Sequence, residues 1–233
     1  MHLIDGFKYY IVFVDHFTCY TWFYPLQPKS DAKSTFIRFK AIVENYFKHK
    51  IITFYSDNGS EFTALKDFFQ TCGISHYTSP PHTPEHNGIS ERKHRHIVET
   101  SLSLLTHASL PQHFWSFAFS TTIYLINRMP SPSLNYFSPF ELIFQKSPNY
   151  PKLRIFGCLC YPRLRPYSAH KLDVRSKPCI FLGYSLSQSA CICFDPQSSK
   201  HFLPVMFNLL SPLFHILIYY NHNLCQPLPL YMH

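Results

Sequence analysis

The chain has 233 residues, 46% hydrophobic and 18% aromatic, which is enough to fill a core and too apolar for a disordered chain. Its formal charge of +8 favours an anionic partner, nucleic acid first and a membrane surface second. Eight cysteines in a chain this long do not make a disulfide scaffold and read as reduced and intracellular.

The opening MHLIDGFKYY lacks the basic segment and apolar core of a secretory signal. KYYIVFV (residues 8–14) is a near-continuous apolar run, as in a buried strand. DHFT breaks it, and YTWFYPL resumes as a second strand, so a hairpin is expected. From Ser30 the period changes: Phe36, Phe39, Val43, Tyr46 and Phe47 fall at helical spacing, with Lys33, Arg38, Lys40 and Glu44 between them. IITFYS (51–56) reads as a third strand, TALKDFFQTCG as a short helix closed by Gly73, and ISHYTS as another strand. PPHTPEHNG (80–88) reads as a loop, three prolines followed by Asn-Gly. A long helix is expected over 89–107, with Ile97, Val98, Leu104 and Leu105 apolar and Arg92, Lys93, Arg95 and His96 crowding its first half.

An aromatic helix follows over 111–128, stopped by Pro130, and SPFE (138–141) is a capping box with proline at the first helical position. Beyond Tyr150 the texture becomes short strands and turns, RIFGCLCYPRL, KPCIFLGYS and SACICFDPQSSKHF, made basic by Lys152, Arg154, Arg163, Arg165, Lys171, Arg175 and Lys177. Cys158/Cys160 and Cys191/Cys193 form two C-x-C pairs. That spacing is wrong for the usual zinc knuckle, and alternate positions on a strand share a face, so buried strand cysteines are expected. Residues 201–233 contain no Lys, Arg, Asp or Glu and show no clear period, a composition closer to out-of-frame coding than to a selected element; resequencing of the locus tests this. The apolar stretch 209–220 is too short to span a bilayer and is interrupted by Pro212 and His215, so a soluble protein without a membrane partner is expected.

Two carboxylates stand out in this acid-poor chain. Asp57 follows an apolar strand directly, and functional groups collect at strand ends in open α/β sheets. Glu91 lies 34 positions on, in the expected first turn of the long helix. Each has an ordinary reading: Asp57 as a helix cap or turn residue, Glu91 as a first-turn acid paired with Arg95. Together, beside a basic helix, they also suit Mg²⁺, which takes hard oxygen ligands and leaves room for water and phosphate.

YSDNGSEF followed by SPPHTPEHNGISERKHRHIVE resembles the integrase of copia-type LTR retrotransposons, and the likeness extends over about residues 4–205. The resemblance implies an α/β fold: an RNase H-like integrase core of mixed sheet and helices over 1–148, then a small SH3-like β module over 154–205, with an atypical uncharged tail at 206–233. It implies a D-D-E triad in which Asp57 supplies the second Asp and Glu91 the Glu, holding two Mg²⁺ or Mn²⁺ ions. The reaction is DNA integration, in which one ion activates the attacking 3′-hydroxyl and the other stabilises the leaving oxygen. The partners implied are element ends and target DNA, with a possible homo-oligomer, no small-molecule substrate, and a nuclear site of action. Arg92, Lys93 and Arg95 are expected to meet phosphate beside Glu91; His82, His86 and Asn87 either touch DNA or only shape the turn.

The family's first Asp is expected upstream of the segment matching DGFKYY, and neither Asp5 nor Asp15 matches its position. On this reading the given chain is an N-terminally truncated copy and is expected to be impaired in catalysis. Cys19 stands where the family commonly carries Arg, a second sign of decay. The competing readings are a non-enzymatic nucleic-acid-binding remnant and the product of a degenerate pseudogene.

Overall fold

The computed structural model describes residues 7–56, 59–78, 84–162, 176–185 and 190–202. The predicted hairpin forms: β1 (Tyr9–Val14) pairs antiparallel with β2 (Thr21–Leu26), with Phe13 opposite Trp22 and Val12 opposite Phe23. Asp15 shapes its turn, Oδ2 accepting from both the backbone N–H and the hydroxyl of Thr18 at 2.7 Å. This internal use gives Asp15 a structural part in the turn.

Strand alternation gives the hairpin two buried faces. Ile11 and Phe13, with Trp22 and Tyr24, pack beneath α1 (Asp31–Phe47) against Phe36 and Phe39. Tyr10, Val12 and Phe23 point the other way, onto Ile97, Phe119 and Ile123 of two later helices. This explains why KYYIVFV reads as continuous apolar rather than alternating.

β3 (Thr53–Ser56) and β4 (Ser75–Thr78) pair in parallel, joined by the short helices α2 (Ser60–Thr63) and α3 (Lys66–Cys72). Phe54 enters the α1 core between Phe36 and Phe69. Among the described residues the two strand pairs are separate sheets that share one core.

The long helix α4 runs Pro84–His107, so it starts five residues earlier than expected and takes in Asn87 and Gly88. Proline is well tolerated in a first helical turn, where its missing N–H would be unpaired in any case, and this outweighs the Asn-Gly turn signal. A single 3₁₀ turn (Gln112–Phe114) leads into α5 (Trp115–Ile126). Asn127 then ties this helix to the hairpin. Its side chain accepts from the Thr21 N–H at 2.9 Å and donates to the Thr21 carbonyl at 2.7 Å, all buried. The predicted capping box is present at Ser138, which opens α6 (Pro139–Phe144) with reciprocal bonds to Glu141.

The C-terminal strands β5 (Leu159–Cys160), β6 (Cys179–Tyr184), β7 (Cys191–Asp195) and β8 (Lys200–Phe202) form one antiparallel sheet in that order. Cys160, Cys191 and Cys193 are buried strand residues, as their alternation suggests; Cys158 is half-buried just before β5. Cys160 and Cys193 touch, sulfur to sulfur, at 3.4 Å. Burial pushes the Cys179 thiol up to about 12 and Cys191 up to about 11, so both stay protonated. Asp195, buried, ion-pairs with Lys177 and accepts from the Gln197 N–H at 2.9 Å and the Ser198 hydroxyl at 2.5 Å, which pins the β7–β8 turn.

This sheet is docked onto α5 by close contact. The Thr121 hydroxyl donates to the Leu182 carbonyl at 3.2 Å, Tyr124 stacks on Tyr184 at 3.9 Å, and the Arg128 guanidinium lies 3.4 Å from the Tyr124 ring centre. Gly183, at φ +129°, brings its Cα so near that an added Cβ would sit 2.1 Å from Thr121 Oγ1. The predicted basic residues Arg163, Arg165, Lys171 and Arg175, and the whole 206–233 tail, lie outside the described residues.

Candidate metal and nucleic-acid site

Asp57 lies outside the described residues; β3, which delivers the chain to it, ends on Ser56. Ser56 shares a 2.9 Å hydrogen bond with His76 Nε2 of the neighbouring strand, which locks the end of this strand pair. The described end of β3 is held by its pairing with β4 up to Ser56 and by Phe54 in the core.

Glu91 lies on α4 about two turns inside its N-terminal end rather than in the first turn. The helix-dipole reading of this acid therefore loses its basis, since that effect falls off within one turn. Its carboxylate is exposed and has no hydrogen-bond or ion-pair partner among the described residues, so the i+4 pairing with Arg95 is not formed. An exposed, unengaged carboxylate is a hard oxygen donor available to a hard cation.

The described part of α4 divides its side chains sharply. Ile97, Ser101 and Leu105 form the buried line, and Ser101 bonds to Thr122 of α5 at 3.0 Å. Glu91, Arg92, Arg95, His96 and Glu99 are exposed and share the opposite face by helical spacing. Lys93 does not join them. It is half-buried toward the hairpin, where burial lowers its pKa and nearby Cys19 opposes that shift. His86 and Asn87 are helical rather than loop residues, and His82 lies outside the described residues.

One pair was not anticipated. Tyr10 of β1 and His94 of α4 share a 2.5 Å hydrogen bond between Oη and Nε2, with their rings near parallel. Burial pushes the Tyr10 phenol up to about 12 and pulls His94 below the ordinary histidine value. His94 is one turn from Glu91, so this contact fixes the carboxylate's stretch of helix to the hairpin. The sequence signal was present in Tyr10, a polar tip inside an apolar strand, but its partner is 84 positions away.

Among the described residues no group of three or more His, Cys, Asp or Glu stands ready to hold a metal, and no helix is long and apolar enough to cross a membrane.

An integrase core domain family model matches residues 1–84, and a retroviral polymerase SH3-like domain model matches residues 158–203. The chain is 61% identical over 199 residues to the Retrovirus-related Pol polyprotein from transposon RE1 of Arabidopsis thaliana, covering 85% of this chain and 14% of that protein. It is 62% identical over 197 residues to that from transposon RE2 of the same plant, covering 84% of this chain and 14% of the relative. The chain belongs to the integrase region of copia-type retrotransposon Pol polyproteins. The polyprotein from transposon TNT 1-94 of Nicotiana tabacum is 38% identical over 200 residues, covering 84% of this chain and 15% of its own length. This integrase segment thus spans about one seventh of the length of the curated relatives it matches.

Solved structures similar to it include two integrase structures. One is the simian T-cell lymphotropic virus intasome in complex with PP2A regulatory subunit B56 gamma (TM-score 0.47, 17% identity, 86% of this chain and 73% of that one). The other is the catalytic core domain of BIV integrase (TM-score 0.43, 20% identity, 58% and 85%). The fold of the segment is an RNase H-like integrase core of mixed sheets and helices, with an SH3-like β module following it.

Proposed function

We propose that this integrase segment binds DNA along the exposed face of α4 and supplies Asp57 and Glu91 to a metal-dependent strand-transfer site. The observation that carries this reading is Glu91, exposed and without a partner among the described residues, on a helix face shared with Arg92 and Arg95. In the reaction a DNA 3′-hydroxyl oxygen attacks a target phosphorus, forming one P–O bond as the bond to the departing 3′-oxygen breaks. Asp57 and Glu91 would hold Mg²⁺ or Mn²⁺, which supplies positive charge to the phosphoryl oxygens when bound. Arg92 and Arg95 neutralise flanking phosphates and so orient the backbone near Glu91. Lys93, turned toward the hairpin, acts through local charge rather than direct contact. Tyr10 and His94 hold the helix register.

We place the core at 1–148, the SH3-like module at 154–205 and the uncharged tail at 206–233. DNA ends and target DNA are the partners, in the nucleus, with a second copy of the chain as a companion in the assembly. The two carboxylates make up two thirds of the D-D-E set that the family implies.

The test is Mn²⁺-dependent strand transfer on a model DNA end. The chain is assayed beside a version extended N-terminally by a strand carrying one more carboxylate, with Glu91→Gln in both. Joining by the extended chain, abolished by Glu91→Gln, supports the assignment. Joining that survives Glu91→Gln removes Glu91 from the site.

A further inference from the structure

We propose that the outward face of the β3–β4 pair is a stacking platform for unpaired DNA bases, built by Tyr55 and Tyr77. The proposal rests on the nucleic-acid reading above and names a contact beyond the α4 face. Tyr55 and Tyr77 are register partners on adjacent parallel strands. Their rings stack at 5.4 Å with planes 23° apart, yet they remain 69% and 54% exposed.

The platform is rigid because the alternate residues are anchored. Phe54 packs on Phe36 at 4.9 Å and on Phe69 at 5.1 Å, and His76 packs on Phe69 at 4.8 Å while bonding Ser56. The two tyrosines therefore stand on fixed backbone, and a base stacking on them orders little further protein. Sequence-tolerant aromatic stacking of this kind is how sheet surfaces bind single-stranded nucleic acid.

Charge selects the occupant. Exposed Lys48, His49 and Lys50 lead directly into this strand. Docked on this face, a second copy of the +8 chain would meet the same field that attracts a polyanion. Paired DNA hides its base faces, whereas frayed ends and overhangs present them. The same strand leads in sequence directly to Asp57, so bases held here belong to DNA approaching the proposed joining site.

The test uses the full chain and fluorescence anisotropy with two probes, a roughly 12-nucleotide single strand of deoxythymidine and a blunt duplex. Tyr55→Ala and Tyr77→Ala are each expected to weaken single-strand binding roughly 5- to 150-fold. Both should leave duplex binding and the melting temperature unchanged, and Tyr→Phe at either site should retain affinity. A 5-iodouracil strand should photo-crosslink to Tyr55 or Tyr77. Single-strand affinity unmoved by both alanine variants, with duplex binding still dependent on Arg92 and Arg95, overturns the platform alone. Loss of all DNA binding by the parent chain overturns the nucleic-acid reading with it. A dimer in sedimentation that Tyr55→Ala disperses assigns the face to self-association and overturns the platform.

Discussion

Gly183→Ala offers the strongest test of how the β module sits on the integrase core. The new Cβ would fall 2.1 Å from Thr121 Oγ1, and the residue would be held at φ +129°, where L side chains are strained. Thr121 cannot easily yield: it is buried on α5 and its hydroxyl donates to the Leu182 carbonyl. Backbone strain of about 1–3 kcal/mol and overpacking of similar size combine, with partial relaxation, to about 2–4 kcal/mol. For a chain of this length that lowers Tm by about 4–16 °C. Calorimetry or circular-dichroism melting reads this directly. Adding Thr121→Ala should recover the steric part but not the backbone strain, giving a coupling of about 1–2 kcal/mol in a double-mutant cycle. A Tm that does not move, or full additivity of the two changes, would refute the docking argument.

Further expectations follow from the same structure. Arg92→Ala with Arg95→Ala should flatten the slope of log affinity for duplex DNA against log salt by about 2, as two phosphate contacts are lost, measured by anisotropy titration. Asn127→Ala should cost about 2–4 kcal/mol in urea denaturation, because it strands the buried N–H and carbonyl of Thr21. Burial opposes ionisation of Asp195, but Lys177, Ser198 and Gln197 outweigh it and hold the carboxyl below its usual range. A depressed folded-state pKa stabilises above the unfolded value near 4 and is lost as pH falls through the folded value. Melting curves from pH 7 to 2 should therefore show a stability loss below about pH 4 that shrinks in Asp195→Asn.

The sequence by itself determined the local elements and the family. Continuous apolar runs gave the hairpin, helical spacing gave α1, and the Ser138 capping box gave α6, because these depend on neighbours a few residues apart. Alternation likewise put Cys160, Cys191 and Cys193 inside the β module. The phrase SPPHTPEHNGISERKHRH carried the likeness to integrases, and the homologous polyproteins agree with it. Local reading failed at the start of α4, where an Asn-Gly turn signal lost to a proline-opened helix. Tertiary structure alone decided which way the basic cluster faces: Ile97, Ser101 and Leu105 set the buried line, which turns Lys93 inward and leaves Arg92 and Arg95 beside Glu91. It alone paired Tyr10 with His94, Asn127 with Thr21, Thr121 with Gly183, and Tyr55 with Tyr77. Each of these contacts joins residues at least 22 positions apart, so its geometry is fixed by how helices and sheets pack and leaves no periodic trace in the chain.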